Sequence, residues 1–127
     1  ARPLVTPGLI EELISWVKKT GAAMTAVNPT ATVKLTDNQS MKIVGTLPRA
    51  KTWIAQTPQG YNRNILKQAL EKAVREKYFV PTDDSEIVAR MTSHDIVVVP
   101  GDHSNIKVTH RSDIVIANEL FEVYLNS

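Results

Sequence analysis

The sequence predicts an α/β fold: a largely parallel sheet covered by helices, with one two-stranded ribbon projecting from it. Three observations lead there. Segments with helical apolar spacing alternate with short strand-like runs, mostly across brief connections. Ile96-Val97-Val98-Val99 is a continuous β-branched run, typical of a strand covered on both faces. Residues 28–51 alternate apolar and polar side chains but carry little apolar surface of their own.

The 127 residues suit one domain. Folding a chain of this size buries roughly 65–70% of the unfolded surface, enough for a core. A hydrophobic content of 43% with 22% charged residues excludes disorder as the global state. Fifteen Lys and Arg against thirteen Asp and Glu leave only +2, so no nucleic-acid stripe is expected. The lack of cysteine excludes a disulfide scaffold and a thiolate metal site. No apolar run approaches the roughly 20 residues of a membrane helix, and no signal-peptide pattern opens the chain. A soluble intracellular protein with no membrane partner is the expectation.

Taken in order, Thr6 is placed to cap a helix that has Pro7 at its first position, where a missing N–H costs nothing. Ile10, Leu13, Ile14 and Val17 form its apolar stripe, and Gly21 ends it after Lys18 and Lys19. Residues 21–27 are small and apolar, a buried strand. In the ribbon, Val33 and Leu35 alternate with Thr32, Lys34 and Thr36. Asp37-Asn38-Gln39-Ser40 supplies turn chemistry, and Met41, Ile43 and Gly45 alternate on the return. Such a ribbon is marginal alone, so it either folds back on the core or reaches another subunit.

Residues 53–56 read as a short extended stretch leading into a Thr57-Pro58-Gln59-Gly60 loop. Asn62 caps the next helix, whose buried stripe is Ile65, Leu66, Ala69, Leu70, Ala73 and Val74. Asp83, three residues before Glu86, opens another helix as a capping box. Pro100-Gly101-Asp102 breaks the strand at 96–99, residues 105–109 form a short alternating strand, and Ser112 caps a last helix carrying Ile114, Val115, Ala117, Leu120 and Phe121. In such sheets ligands gather at the carboxyl ends of strands, which directs attention to the segments around Thr57, Thr82 and Lys107.

Those segments share a pattern. Thr57-Pro58-Gln59, Thr82-Asp83-Asp84 and Asn105-Ile106-Lys107-Val108-Thr109 followed by Asp113 resemble the C-terminal half of the 2-C-methyl-D-erythritol 4-phosphate cytidylyltransferase family. Ala1-Arg2-Pro3-Leu4 resembles the end of that family's His-Asp-Ala-x-Arg-Pro segment, and Gly21-Ala22-Ala23 and Thr46-Leu47-Pro48-Arg49 also fit. The resemblance spans the chain. The family's first strand and Gly-rich basic loop, which grips the CTP triphosphate, have no counterpart among the five glycines here. Residues 1–127 are therefore expected to be the C-terminal portion of a single cytidylyltransferase domain, a fragment that does not catalyse alone.

The resemblance implies a partial Rossmann-like nucleotidyltransferase fold. It also implies a reaction in which an alcohol phosphate, 2-C-methyl-D-erythritol 4-phosphate, attacks the α-phosphorus of CTP and pyrophosphate leaves, a step in non-mevalonate isoprenoid biosynthesis. Such chemistry asks the protein to position two anions and to cancel charge, with no covalent nucleophile. Mg²⁺ would ride on the nucleotide, with its protein neighbours in the absent half. A homodimer through a β-arm at 28–51 is implied, in the cytoplasm or a plastid.

Residue by residue, Lys107 resembles the family lysine near the substrate phosphate, and Arg49 the arm arginine offered to the neighbouring subunit's substrate. These two are the expected catalytic residues. A guanidinium can grip phosphate through two parallel hydrogen bonds, which lysine cannot. Thr32 resembles the arm threonine of an Asp-Thr-x-Lys stretch, with Ala31 replacing the aspartate. Arg2, Thr57 and Thr82 resemble substrate-binding residues. The competing readings are plain ones: a solvated strand lysine, a surface arginine at a hairpin foot, β-propensity at Thr32, a turn residue at Thr57 and a helix cap at Thr82.

Asp83 and Asp84, at a helix start, are read as capping residues, and none of Asp83, Asp84 and Asp102 is read as a metal ligand. His94, His103 and His110 lack zinc spacing and read as exposed loop residues, while Trp16 and Trp53 read as core or interface. Two alternatives stand beside the leading function: a ribitol-5-phosphate-type cytidylyltransferase and a non-catalytic dimerisation module.

Overall fold

A computed structural model describes residues 1–78 and 80–126. The elements are α1 (Pro7–Thr20), β1 (Ala22–Val27), β2 (Lys34–Thr36), β3 (Ile43–Thr46), a 3-10 turn at Arg49–Lys51, β4 (Ile54–Tyr61), α2 (Arg63–Arg75), α3 (Asp84–Met91), β5 (Val97–Pro100) and α4 (Arg111–Leu125). The architecture is α/β, as the sequence predicts. The main sheet has the order β4-β1-β5, with β2 and β3 in a sheet of their own. It is mixed: β1 pairs parallel with β5 and antiparallel with β4. The antiparallel pair arises because a hairpin, and not a helix, links β1 to β4.

Local chemistry sets several boundaries where expected. Thr6 Oγ1 accepts from Leu9 N, Pro7 opens α1, and Gly21 closes it at φ 87°, a left-handed conformation that favours glycine. Asn62 caps α2 through Asn64 N, and Asp83 caps α3 through Glu86 N. Glu86 does not reciprocate at Asp83; its carboxylate turns back to Thr82 N. At α4 the capping carboxylate belongs to Asp113 and not to Ser112. It accepts from the backbone N–H groups of Thr109 and His110 because three residues separate it from the helix start.

Burial departs from the sequence reading on the outer faces. α1 lays Leu9, Leu13 and Val17 against Ala23, Val97 and Val99, and fully burying a side chain such as Leu13 is worth ~1.5–3 kcal/mol. Ile10 and Ile14 are exposed. A second cluster joins Ala69 and Ala73 of α2 to Ile87, Val88 and Met91 of α3; Leu70 and Val74 lie outside it. β5 is an edge strand with Val98 37% exposed, so it is not covered on both faces. In α4 only Ala117 is buried, and Ile114, Val115 and Phe121 face outward. Residues 105–109 form no strand: among the described residues, their only backbone-to-backbone link outside the loop runs from Val108 N to Ala1 O.

The ribbon does not fold back on the core. Leu35, Met41, Ile43 and Val44 are all exposed, Met41 at 72%. Its turn is organised by Asp37 Oδ1, which accepts from Gln39 N, Ser40 N and Ser40 Oγ. Its base is tied down by Asn28 Nδ2, which donates to the carbonyls of Thr52 and Arg49.

Candidate functional site

The expected Thr57-Pro58-Gln59-Gly60 loop is instead part of β4, and its turn residues make a bulge. Ala26 pairs with Ala55 and Met24 with Gln59, so Thr25 alone opposes Gln56, Thr57 and Pro58. Bulges re-aim side chains, and proline is tolerated in one because it owes the ladder no N–H. Thr25 Oγ1 holds the bulge by donating to Pro58 O at 2.9 Å. Thr57 emerges exposed beside the carboxyl ends of β1 and β5, the place the sheet principle favours.

Three chain segments meet there. Arg2 Nε donates to Thr57 Oγ1 at 2.7 Å, and Arg2 Nη1 donates to Asn105 O. Asn105 Nδ2 donates to Thr57 O at 2.9 Å. Partial burial draws the Arg2 guanidinium pKa down from its ordinary value. Two residues beyond Asn105, the Lys107 side chain is exposed. On its far side, the Asp113 carboxylate fixes Thr109 and His110. The backbone N–H groups of Thr109 and His110, then the Thr109 hydroxyl, pull the Asp113 pKa down to about 2.

Thr82 is attached to the same strand through its neighbour. Gln59 Nε2 donates to Asp83 Oδ2 at 2.9 Å, and Gln59 Oε1 accepts from Ser85 N and Tyr61 OH. Thr82 Oγ1 donates to Glu86 Oε2 at 2.8 Å, so its hydroxyl is left to act as an acceptor. Glu86 also accepts from Thr82 N and from Tyr78 OH. Led by the Thr82 N–H, these donors hold the Glu86 pKa at about 2. Burial disfavours the Asp83 carboxylate, but hydrogen bonds from Gln59, Ser85 and Glu86 N outweigh that and lower its pKa.

Thr32 and Arg49 form a separate group. They share a groove of about 300 Å³ at the foot of the ribbon with Val33, Thr46, Leu47 and Pro48. Among the described residues, neither Arg49 nor Lys107 has a side-chain hydrogen bond or an ion pair. The two ion pairs there, Lys67–Glu71 and Lys72–Glu76, lie on α2 and its end. The structure thus joins Arg2 and Thr57 directly, places Lys107 two residues beyond Asn105, ties Thr82's neighbour Asp83 to Gln59 of β4, and sets Thr32 and Arg49 apart on the arm.

Among the described residues, no three His, Asp or Glu side chains gather as a metal site. Asp83 has its oxygens taken up by Gln59, Ser85 and Glu86 N, so its geometry is that of a cap. His94 is half-buried and not an exposed loop residue: its Nε2 lies 2.7 Å from Thr20 O at the end of α1. Trp16 and Trp53 lie at the surface, with Lys19 Nζ 5.3 Å from the Trp16 ring centroid. Sequence reasoning missed Gln56 and gave Asn105 no role of its own. Both are buried amides in this network, and only their placement across 49 residues reveals it.

Comparison with known proteins adds four findings. The family model described as IspD, 2-C-methyl-D-erythritol 4-phosphate cytidylyltransferase, matches residues 1–123. The protein of that name from Syntrophus aciditrophicus is 39% identical over 116 residues, covering 91% of this chain and 48% of the relative. Its counterpart from Dictyoglomus thermophilum is 40% identical over 116 residues, covering 91% and 49%. The crystal structure of 4-diphosphocytidyl-2C-methyl-D-erythritolsynthase from Anaerococcus prevotii superposes with a TM-score of 0.85 at 31% identity, covering 99% of this chain and 55% of that one. The chain spans about half the length of the curated relatives it matches.

Proposed function

The chain belongs to the 2-C-methyl-D-erythritol 4-phosphate cytidylyltransferase family, and from that premise we propose that it carries the alcohol-phosphate side of a CTP-dependent nucleotidyl transfer. A phosphate oxygen of 2-C-methyl-D-erythritol 4-phosphate attacks the α-phosphorus of CTP. The bond to the β-phosphate oxygen breaks, and pyrophosphate departs with that electron pair. The products are CDP-methylerythritol and pyrophosphate, and the pathway is non-mevalonate isoprenoid biosynthesis.

The observation that carries this reading is the Arg2–Thr57–Asn105 junction beside the unpaired Lys107. Two anions must approach one another, and charge accumulates on the in-line oxygens. In the proposal Lys107 balances that charge, Arg2 orients Thr57, and the Thr57 hydroxyl donates to the phosphate. Thr82, whose own proton goes to Glu86, accepts from a hydroxyl of the alcohol. No side chain acts as a nucleophile.

Residues 28–51 serve as an arm for a homodimer, with Arg49 and Thr32 delivered to the partner's alcohol phosphate. The exposed apolar side chains of the ribbon and the free Arg49 guanidinium support this. Mg²⁺, when bound, would screen the nucleotide's phosphates. No helix among the described residues is long and apolar enough to cross a membrane.

The test is pyrophosphate release by the complete protein with CTP and either methylerythritol phosphate or ribitol 5-phosphate. Release with the former is expected. Release with ribitol phosphate alone overturns the choice of alcohol. Release with neither leaves a non-catalytic dimerisation module as the surviving reading.

A further inference from the structure

We propose that Gln56 and Asn105 are positioning residues: a buried amide pair that locks the loop bearing Lys107 to the bulge bearing Thr57. The pair sits where three segments distant in sequence meet. Gln56 is 6% exposed and Asn105 1%. Gln56 Nε2 donates to Asp102 O at 2.9 Å, and Asn105 Nδ2 donates to Thr57 O at 2.9 Å. The two amides also face one another, Asn105 Nδ2 to Gln56 Oε1 at 3.4 Å, and Asn105 O accepts from Arg2 Nη1.

Each strand thereby controls the other's loop. The β4 amide holds the first turn after β5, while the amide from that loop holds the backbone of the β4 bulge. Beyond Asn105, the loop has Ile106 N donating to Ser104 O at 2.7 Å and Val108 N donating to Ala1 O at 2.7 Å. Lys107 sits between these ties, so its origin in space is fixed from the Asn105 side.

Two features separate this pair from ordinary core filling. Asn105 Oδ1 is buried with no hydrogen-bond partner, an arrangement that stability alone disfavours. Apolar residues of similar shape would remove that penalty and lose the tie between Thr57 and Lys107. Gly101 is the second feature: a Cβ there would stand 2.3 Å from Gln56 Oε1, so the backbone after β5 leaves room for the Gln56 amide.

The kinetic arm of the test rests on the proposed function; the structural arm does not. In the complete protein, Asn105→Ala and Gln56→Ala are compared with Thr92→Val, which removes a hydroxyl bond to Val88 O elsewhere. Asn105→Leu, similar in shape and without either N–H donor, serves if the alanine variant fails to fold. Amide hydrogen exchange is expected to quicken about tenfold at Val108, with the Thr57 and Lys107 resonances shifted and the α2 amides unchanged. The KM for the alcohol phosphate should rise about tenfold with the KM for CTP unchanged, a loss of ground-state positioning. Thr92→Val should do neither.

Exchange at Val108 and a Lys107 resonance identical to wild type would overturn the proposal, as would equal losses in both KM values that follow stability. A wild-type protein that turns over no alcohol phosphate defeats the functional reading, and the exchange data then decide the positioning claim alone.

Discussion

Arg2 Nε lies 2.7 Å from Thr57 Oγ1, linking residues 55 positions apart. A guanidinium only donates, so Thr57 oxygen must accept and its own O–H stays available for a phosphate oxygen. Lysine could not span Thr57 Oγ1 and Asn105 O with the same planar fork. Arg2→Lys is therefore expected to lower kcat/KM for the alcohol phosphate about tenfold or more, the scale of one lost charge-assisted bond at ~1.5–3 kcal/mol. Steady-state kinetics check this. A lysine variant with wild-type kcat/KM would show that the fork is dispensable.

Arg49 and Lys107 should act on one substrate from two subunits. Among the described residues neither side chain has a hydrogen bond or ion pair; Arg49 stands at the foot of the ribbon and Lys107 two residues beyond Asn105, which bonds Arg2 and Thr57. Arg49→Ala and Lys107→Ala should each lower turnover by a large factor without unfolding the protein. Mixing the two inactive variants should restore roughly a quarter of wild-type activity, since half of a random mixture is heterodimer with one intact site. No recovery on mixing places both residues in the same subunit's site.

How much of this was readable in advance depends on the range of the interactions. Thr6, Gly21, Asn62 and Asp83 act on backbone groups within a few residues, and the sequence states those contacts directly. Asp37-Asn38-Gln39-Ser40 is equally local. Thr57-Pro58-Gln59-Gly60 reads as a loop because its turn chemistry is genuine; pairing with β1 converts it to a bulge. The alternation at 105–109 promised a strand, but among the described residues no strand pairs with it. Gln56 and Asn105 are polar residues of unremarked type, and nothing local predicts that 49 positions apart they become a buried pair.

Acid should loosen the loops beside the site. Glu86 has its pKa lowered from 4.5 to about 2, and Asp113 from 3.8 to about 2. A depressed folded-state pKa contributes stability that is present above the unfolded value and lost as pH falls toward the folded one. The midpoint of thermal unfolding should therefore fall between about pH 4.5 and pH 2 and be insensitive to these groups at higher pH. Glu86→Gln removes its share of that slope while keeping a carbonyl oxygen as an acceptor for the Thr82 hydroxyl. A variant whose acid limb matches wild type would show that Glu86 contributes nothing there.

Gly101→Ala should reproduce the loss of Gln56 without touching it. The added Cβ would lie 2.3 Å from Gln56 Oε1 and 3.3 Å from Ala26 O. The carbonyl belongs to β1 and accepts from Gly101 N at 2.8 Å, so the backbone has little room to retreat. The Gln56 amide must move instead, and it cannot do so while keeping its bond to Asp102 O. Overpacking of this kind costs ~1–3 kcal/mol, read as a lower thermal midpoint. The Gln56→Ala, Gly101→Ala double variant distinguishes the cause. With the amide gone the methyl has space, so the two substitutions together should cost less than their sum, and a strictly additive result would place the clash elsewhere.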